Sequence, residues 1–131
     1  MDHLSLSKQF NSVAYDLVNN STTIGLNIPS LKDEEILRRI VFSRFYYSLY
    51  HKCLAHDSDL SSRTGPGIHA IMLDKIKNSN DRKLYQVFNK TLNLRIWADY
   101  KFDKSPHSLN VNLNTLKSDV WSIVNRKNIS C

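Results

Sequence analysis

The stretch EEILRRIVFSRFYYSLYHKCLAHD, residues 34–57, decides the fold. At about 100° per residue, its apolar and aromatic side chains fall on nearly every side of a helical wheel. Two stripes stand out, Ile36–Ile40–Tyr47–Leu54 and Phe42–Tyr46–Leu49–Cys53. A helix that is apolar all round is usually buried. The segment 33–56 is therefore predicted to be a long central helix, for which Ser30 and Asp33 both offer caps.

Four further helices are predicted around this one. Apolar spacing places them at 3–19, from the Pro66-Gly67 break to about 77, at 81–102 and at 112–126. The segment 20–30 is predicted to be a loop. Leu84, Phe88 and Phe102 mark the inward stripe of the helix at 81–102. With short links and no persuasive strand, the sequence predicts an all-α, antiparallel five-helix bundle that forms a single domain over 1–131.

Composition excludes several classes of protein. The 131 residues include only two cysteines, Cys53 and Cys131, which excludes a disulfide scaffold and a four-cysteine zinc site. No apolar run approaches the roughly 18 residues of a membrane span, and no signal peptide is recognisable. His3, His56 and His107 have no neighbours in sequence that suggest a metal site. We therefore expect a reduced, cytoplasmic protein with no metal, no cofactor and no membrane partner.

The charge is uneven along the chain. The net charge is +6; residues 1–59 hold six basic and seven acidic side chains, and residues 60–131 hold twelve and five. A basic half indicates a polyanionic partner such as RNA or DNA. A soluble domain with a high pI that binds no nucleic acid explains the charge equally well.

Polar residues interrupt the apolar stripe of the central helix. Arg44 and His51 are seven positions apart, so they point the same way two turns apart, with Tyr47 near the same direction between them. Burying a charge there is costly unless the charge is paired or used. Two interpretations stay open: a structural hydrogen-bonded pair at a helix contact, and a ligand or catalytic role.

The later helices carry a second polar set. Arg95 falls near the centre of an apolar stripe, and Asp99 follows at i+4, where it can pair with Arg95. The simplest account is an internal pair that fixes this helix against the central one. His69 is expected in the first turn of its helix, where the helix end lowers the tendency of an imidazole to hold a proton.

Three motifs together resemble the HEPN superfamily. They are SRFYYSLYHKCL at 43–54, GIH at 67–69 and LRIWADY at 94–100. Their order and spacing are similar to those of a small, uncharacterised bacterial and archaeal HEPN branch, and the likeness covers roughly residues 33–102. The resemblance implies a helical bundle, often a homodimer, linked to RNA cleavage, toxin–antitoxin pairs and antiviral defence.

What the resemblance implies chemically is a metal-independent endoribonuclease that leaves a 2′,3′-cyclic phosphate. In such a site Arg44 and Arg95 would hold phosphate, and His51 or His69 would be the acid or base. Arginine would also stabilise charge on the phosphoryl oxygens. Asp99 would orient Arg95, and Tyr47 and Tyr100 would likewise bind phosphate or orient the side chains that do.

The chain departs from the family pattern, in which four to six residues separate an arginine from a histidine. At that spacing after Arg95 stand Tyr100, Lys101 and Phe102, whereas Arg44–His51 and Arg63–His69 satisfy it. Family members that lack the histidine resemble a non-enzymatic partner of a nucleotidyltransferase or an antitoxin protein. A basic domain that binds nucleic acid through charge alone is a third interpretation.

Overall fold

A computed structural model describes residues 1–63, 65–103 and 105–129 of the chain. Within these ranges it contains no strand and eight α-helices, which confirms the predicted all-α class. The helices are α1 (His3–Asn19), α2 (Ser21–Asn27), α3 (Glu34–His56), α4 (Ser58–Ser62), α5 (Ile68–Asn78), α6 (Arg82–Tyr100), α7 (Pro106–Leu109) and α8 (Leu113–Val124), with a 3₁₀ turn at Pro29–Lys32. The antiparallel five-helix arrangement stays a prediction.

The predicted central helix is confirmed as α3. It begins after Asp33, whose carboxylate accepts hydrogen bonds from the backbone N–H groups of Glu35 (2.9 Å) and Ile36 (3.2 Å). The helix packs against α1 and α6 along its length, and also contacts α4, α7 and α8. Its core-facing residues with no exposed surface are Val41, Phe42, Phe45, Tyr46, Leu49 and Cys53. Helix α3 is therefore the central element, on which α1, α6 and α8 pack and which α5 reaches through His69.

The Asp33 cap supports a first prediction. Asp33→Ala is expected to lower the free energy of unfolding by about 1 kcal/mol, because two backbone N–H groups lose their acceptor. Asp33→Asn keeps an acceptor oxygen and should retain most of that stability. Urea denaturation of both variants measures the difference. An equal loss of stability in the two would show that the acceptor oxygen at this position does not stabilise the helix.

The predicted loop at 20–30 is wrong. Helix α2 follows α1 after Asn20 and leads into the 3₁₀ turn. Gly25 is buried, and a Cβ there would lie 3.3 Å from the Cα of Lys32. The glycine therefore lets α2 approach the following turn closely, rather than breaking the helix. The short helices α4 and α7 were also absent from the prediction.

Two apolar residues predicted to face inward are exposed. Helix α6 ends at Tyr100 because Lys101 adopts an extended conformation (φ −106°, ψ 142°), and Phe102 beyond it is 100% exposed. Ile36 lies in the first turn of α3 and is 45% exposed. The predicted bounds of the four outer helices otherwise agree with α1, α5, α6 and α8 to within about two residues. Of the two cysteines, Cys53 is buried in the core and Cys131 lies outside the described residues.

Arg39 holds the C-terminal end of α6 against α3. Its Nη1 donates to the backbone carbonyls of Trp97 (2.8 Å), Ala98 (3.1 Å) and Lys101 (2.7 Å). Its Nη2 pairs with Glu35 at 3.0 Å, and the guanidinium carbon lies 4.0 Å from the Trp97 ring centroid. The carbonyls at a helix end lack some or all of their helical partners, so this arginine supplies a donor to Ala98 and a second one to Trp97, which also accepts from Lys101 N–H at 3.1 Å. It thereby fixes the turn that carries Asp99 and Tyr100.

Candidate functional site

Arg95 lies between α6 and α3 and is 8% exposed. Its Nε donates to the Asp99 carboxylate at 3.0 Å, and its Nη2 donates to the hydroxyls of Tyr47 (2.8 Å) and Tyr100 (3.1 Å). The ring of Tyr46 is the fourth neighbour, with its centroid 5.6 Å from the guanidinium carbon. The predicted Arg95–Asp99 pair is confirmed, and Tyr47 makes the link to α3.

The third nitrogen of the Arg95 guanidinium, Nη1, takes no part in these hydrogen bonds. Nη1 has no hydrogen-bond partner among the residues that the structure describes. Burial by itself lowers the pKa of Arg95, but the neighbouring Tyr47, Tyr100 and Asp99 side chains outweigh it and raise the pKa. Arg95 therefore keeps its charge and retains one donor for an anion.

His69 lies in the first turn of α5, as predicted. The helix begins after Gly67, whose φ of +91° is in the left-handed region that favours glycine. The Nδ1 of His69 lies 2.5 Å from the Tyr46 hydroxyl, and its ring centroid lies 4.8 Å from that of Tyr50. Burial, followed by the charge of Arg95, lowers the pKa of His69. The imidazole is therefore neutral at pH 7.

The Tyr46 hydroxyl decides which nitrogen of His69 carries the hydrogen. Burial raises the pKa of Tyr46 despite the opposing charge of Arg95, so the hydroxyl keeps its proton. His69 Nδ1 is the hydrogen-bond acceptor that the described residues offer it. The hydroxyl therefore donates to Nδ1, and the hydrogen of the neutral imidazole is on Nε2. In this state His69 is a donor at Nε2 and not a proton acceptor.

His51 belongs to a neighbouring group at the α1–α3 contact. Its Nδ1 lies 2.9 Å from the Nδ1 of His3, and its ring is parallel to that of Phe10 within 16° at 5.6 Å. Burial, followed by the charge on His3, lowers the pKa of His51. No pattern along the chain pairs His3 with another residue, yet His3 is the hydrogen-bond partner of His51.

Arg44 packs on the same α1 residue as His51. Its guanidinium carbon lies 5.6 Å from the Phe10 ring centroid, and it lines a cavity of about 420 Å³ with Leu6, Gln9 and Val13. Within the described ranges, no carboxylate pairs with Arg44, and Arg44 makes no hydrogen bond to His51. The interpretation of Arg44 and His51 as a hydrogen-bonded pair is therefore wrong.

The predicted site residues thus fall into two adjoining groups. The Arg95 cluster contains Arg95, Asp99, Tyr47, Tyr100, Tyr46 and His69. The His51 cluster contains His51, His3, Phe10 and Arg44. Tyr50 contacts the rings of both His51 (5.2 Å) and His69 (4.8 Å), and so joins the two groups. Arg63 instead pairs with Asp59 at 3.2 Å, so its spacing to His69 is not accompanied by a contact.

Sequence reasoning missed three residues that complete these clusters. Tyr46 was assigned to the core, although its hydroxyl binds His69, and His3 and Phe10 were not connected with His51. These contacts join residues 23 to 48 positions apart. A helical wheel compares residues only within one helix, so it gave no signal for them.

Comparisons with known proteins found no relative that indicates the function of this chain. Protein-family models, curated proteins and solved structures gave no match to this sequence. In the described part of the chain, no three His, Cys, Asp or Glu side chains are grouped so that they could hold a metal ion. Nor does that part contain a helix with the length and hydrophobicity needed to cross a membrane. The two clusters are therefore the basis of the proposal below.

Proposed function

We propose that the chain is a HEPN-like domain that acts on RNA as a metal-independent endoribonuclease. The observation that supports this most is that Arg95 Nη1 has no hydrogen-bond partner among the described residues, while the Arg95 charge acts on the neighbouring His69. Nη1 of Arg95 and Nε2–H of His69 belong to side chains whose other donors or acceptors are already fixed. Donors held in place before the reaction stabilise developing negative charge without a cost of reorganisation.

In the proposed reaction, the ribose 2′-hydroxyl attacks the adjacent phosphorus and the bond to the 5′ oxygen breaks. The products are a 2′,3′-cyclic phosphate and a 5′-hydroxyl. Arg95 and His69 would stabilise the phosphoryl oxygens, and Arg44 would take a neighbouring phosphate. His51, kept neutral at pH 7 by its lowered pKa, would accept the proton of the 2′-hydroxyl at Nε2, since Nδ1 is bonded to His3. Solvent water would protonate the departing 5′ oxygen and then take the proton held by His51.

The remaining residues of the Arg95 cluster would act through these groups. Asp99, Tyr47 and Tyr100 orient the Arg95 guanidinium, and Tyr46 sets the tautomer of His69. The surplus of seven positive charges over residues 60–131, twelve basic against five acidic, favours a polyanionic substrate. An assembly of two copies, which the resemblance implies, would bring two such sites together.

A specific observation also favours a non-enzymatic function. Nε and Nη2 of Arg95 are bonded within the chain, as are the Nδ1 atoms of His51 and His69. Such a site can hold a partner surface without carrying out chemistry. The partner would then be a nucleotidyltransferase or an antitoxin protein, as the family resemblance implies.

One experiment separates the two functions. Purified full-length chain is incubated with several structured RNAs in EDTA, with cleavage products analysed by mass spectrometry and RNA binding measured in parallel. Products that end in a 2′,3′-cyclic phosphate are expected. Binding without cleavage would overturn the endoribonuclease, and neither binding nor cleavage would favour a protein partner. Retained cleavage in EDTA also tests whether the reaction needs a metal.

A further inference from the structure

The geometry of the contact between His3 and His51 indicates where the hydrogen between the two imidazole rings lies. The Nδ1 atoms are 2.9 Å apart, the ring planes differ by 22°, and the ring centroids are 5.2 Å apart. That centroid separation is close to the Nδ1–Nδ1 distance plus the two ring radii. Both Nδ1 atoms therefore lie on the line between the rings, and the imidazoles meet edge to edge rather than face to face.

This arrangement holds a single hydrogen between the two rings. In a hydrogen bond one Nδ1 donates and the other accepts, so one imidazole must keep its Nδ1 lone pair. The pair can be neutral, or can carry one extra proton on an Nε2. When both rings are charged, two N–H groups face each other and two positive charges adjoin. The second proton is therefore incompatible with the bond, as in other coupled titrations.

The surroundings do little to offset that second charge. Asp2 is the acidic group whose pKa responds to His3, and its carboxylate already caps α1 by accepting from Ser5 N–H at 2.8 Å. His56 lines the same cavity as His3, and burial followed by the charge of Lys8 lowers the pKa of Lys52, the residue after His51. Tyr50 lies between His51 and His69 of α5, and the positive charge of Arg44 lies over the Phe10 ring that packs on His51.

We propose that His3 and His51 form an acid-released latch that holds the first turns of α1 on α3. Closed, the latch keeps Phe10 against His51 and Tyr47. Open, it exposes these rings beside Tyr50, at the boundary with the Arg95 cluster. The latch requires neither RNA nor cleavage, so it stands or falls independently of the endoribonuclease.

The sign of the pH effect follows from the protonation states. The folded chain lowers the pKa of His51, so the charged imidazole is disfavoured when the latch is closed. The contribution to stability is therefore complete above the pKa of an unperturbed histidine, about 6.5, and is lost as the pH falls below it. If the open state binds one more proton, the opening constant rises up to about tenfold per pH unit below that value.

Hydrogen exchange of the full chain tests the latch. Amide protection is compared at pH 7.5 and pH 5.0 for α1 and for α8, after correction for intrinsic exchange rates. Protection at residues 7–10, whose amides bond within the first turns of α1, is expected to fall about tenfold more than protection in α8. An equal change in the two helices would overturn the latch.

Variants separate the latch from general acid effects. His3→Gln and His51→Gln should both remove the excess pH dependence of α1, whereas His107→Gln, at an exposed position in α7, should retain it. Nitrogen-15 chemical shifts of the unmodified chain give a second test that needs no variant. At pH 7.5 one ring of the pair must carry its hydrogen on Nδ1; two Nε2–H tautomers would overturn the proposal.

Discussion

His69→Ala is expected to lower the rate of RNA cleavage in EDTA by about 100- to 1,000-fold, the usual loss when one preorganised donor to a transition-state oxygen is removed. The variant removes Nε2–H beside Arg95, while the α5 backbone and the rest of the Arg95 cluster remain. The variant also leaves the buried Tyr46 hydroxyl without its acceptor, so we expect a loss of about 1–3 kcal/mol in the free energy of unfolding, and the cleavage rate is measured at a temperature where the variant is folded. Single-turnover cleavage at saturating protein measures the effect on the chemical step separately from binding.

Tyr46→Phe tests how His69 is positioned. The variant keeps the buried ring but removes the hydroxyl that donates to Nδ1. We expect about a tenfold loss of the cleavage rate, and a His69 that changes from the Nε2–H tautomer to a mixture of both. Nitrogen-15 chemical shifts report the tautomer, which a merely structural role for Tyr46 would leave unchanged.

An exposed histidine in α7, His107, provides the matched control for these variants. His107→Ala removes an exposed imidazole in α7, outside both clusters, and should cleave RNA at the unmodified rate. If His69→Ala cleaves as fast as His107→Ala, His69 has no part in the chemistry. If RNA affinity falls but the rate at saturation is unchanged, His69 contributes to binding alone.

The helices of this chain were predictable to the extent that their determinants are local. The Asp33 cap and the all-round apolar pattern of α3 predicted its start and its central position, because both act within one helix. The end of α6 was placed too late, since the wheel extended the apolar stripe to Phe102 although the backbone leaves the helix at Lys101. The segment 20–30 was predicted to be a loop because the close packing of Gly25 on Lys32 depends on the fold.

The candidate site was predictable only in part for the same reason. Arg95 and Asp99 are four positions apart on one helix, so their pairing was visible in the sequence. The bond between Tyr46 and His69 joins α3 to α5, and the one between His3 and His51 joins α1 to α3. Each of these four residues can also be explained as an ordinary core or surface residue when it is read alone. Only the packing of the helices selects the partner.

Arg39→Ala is expected to lower the free energy of unfolding by about 2–4 kcal/mol. The variant removes three hydrogen bonds to carbonyls in the last turn of α6 and just beyond it, and the contact over the Trp97 ring. It also leaves Glu35, only 26% exposed at its side chain, without its ion-pair partner. Guanidine denaturation measures the loss.

Two further variants test whether this stability comes from the planar guanidinium group of Arg39 or from its charge alone. Arg39→Lys keeps the charge but cannot reach several carbonyls and stack on Trp97 at once, so we expect about half the loss. Arg82→Ala, at an exposed position at the start of α6, should cost less than about 0.5 kcal/mol. Equal losses for Arg39→Ala and Arg82→Ala would contradict the argument. Because α6 ends in Asp99 and Tyr100, loosening that end should also release Arg95 and slow cleavage, which links the stability of the fold to the proposed site.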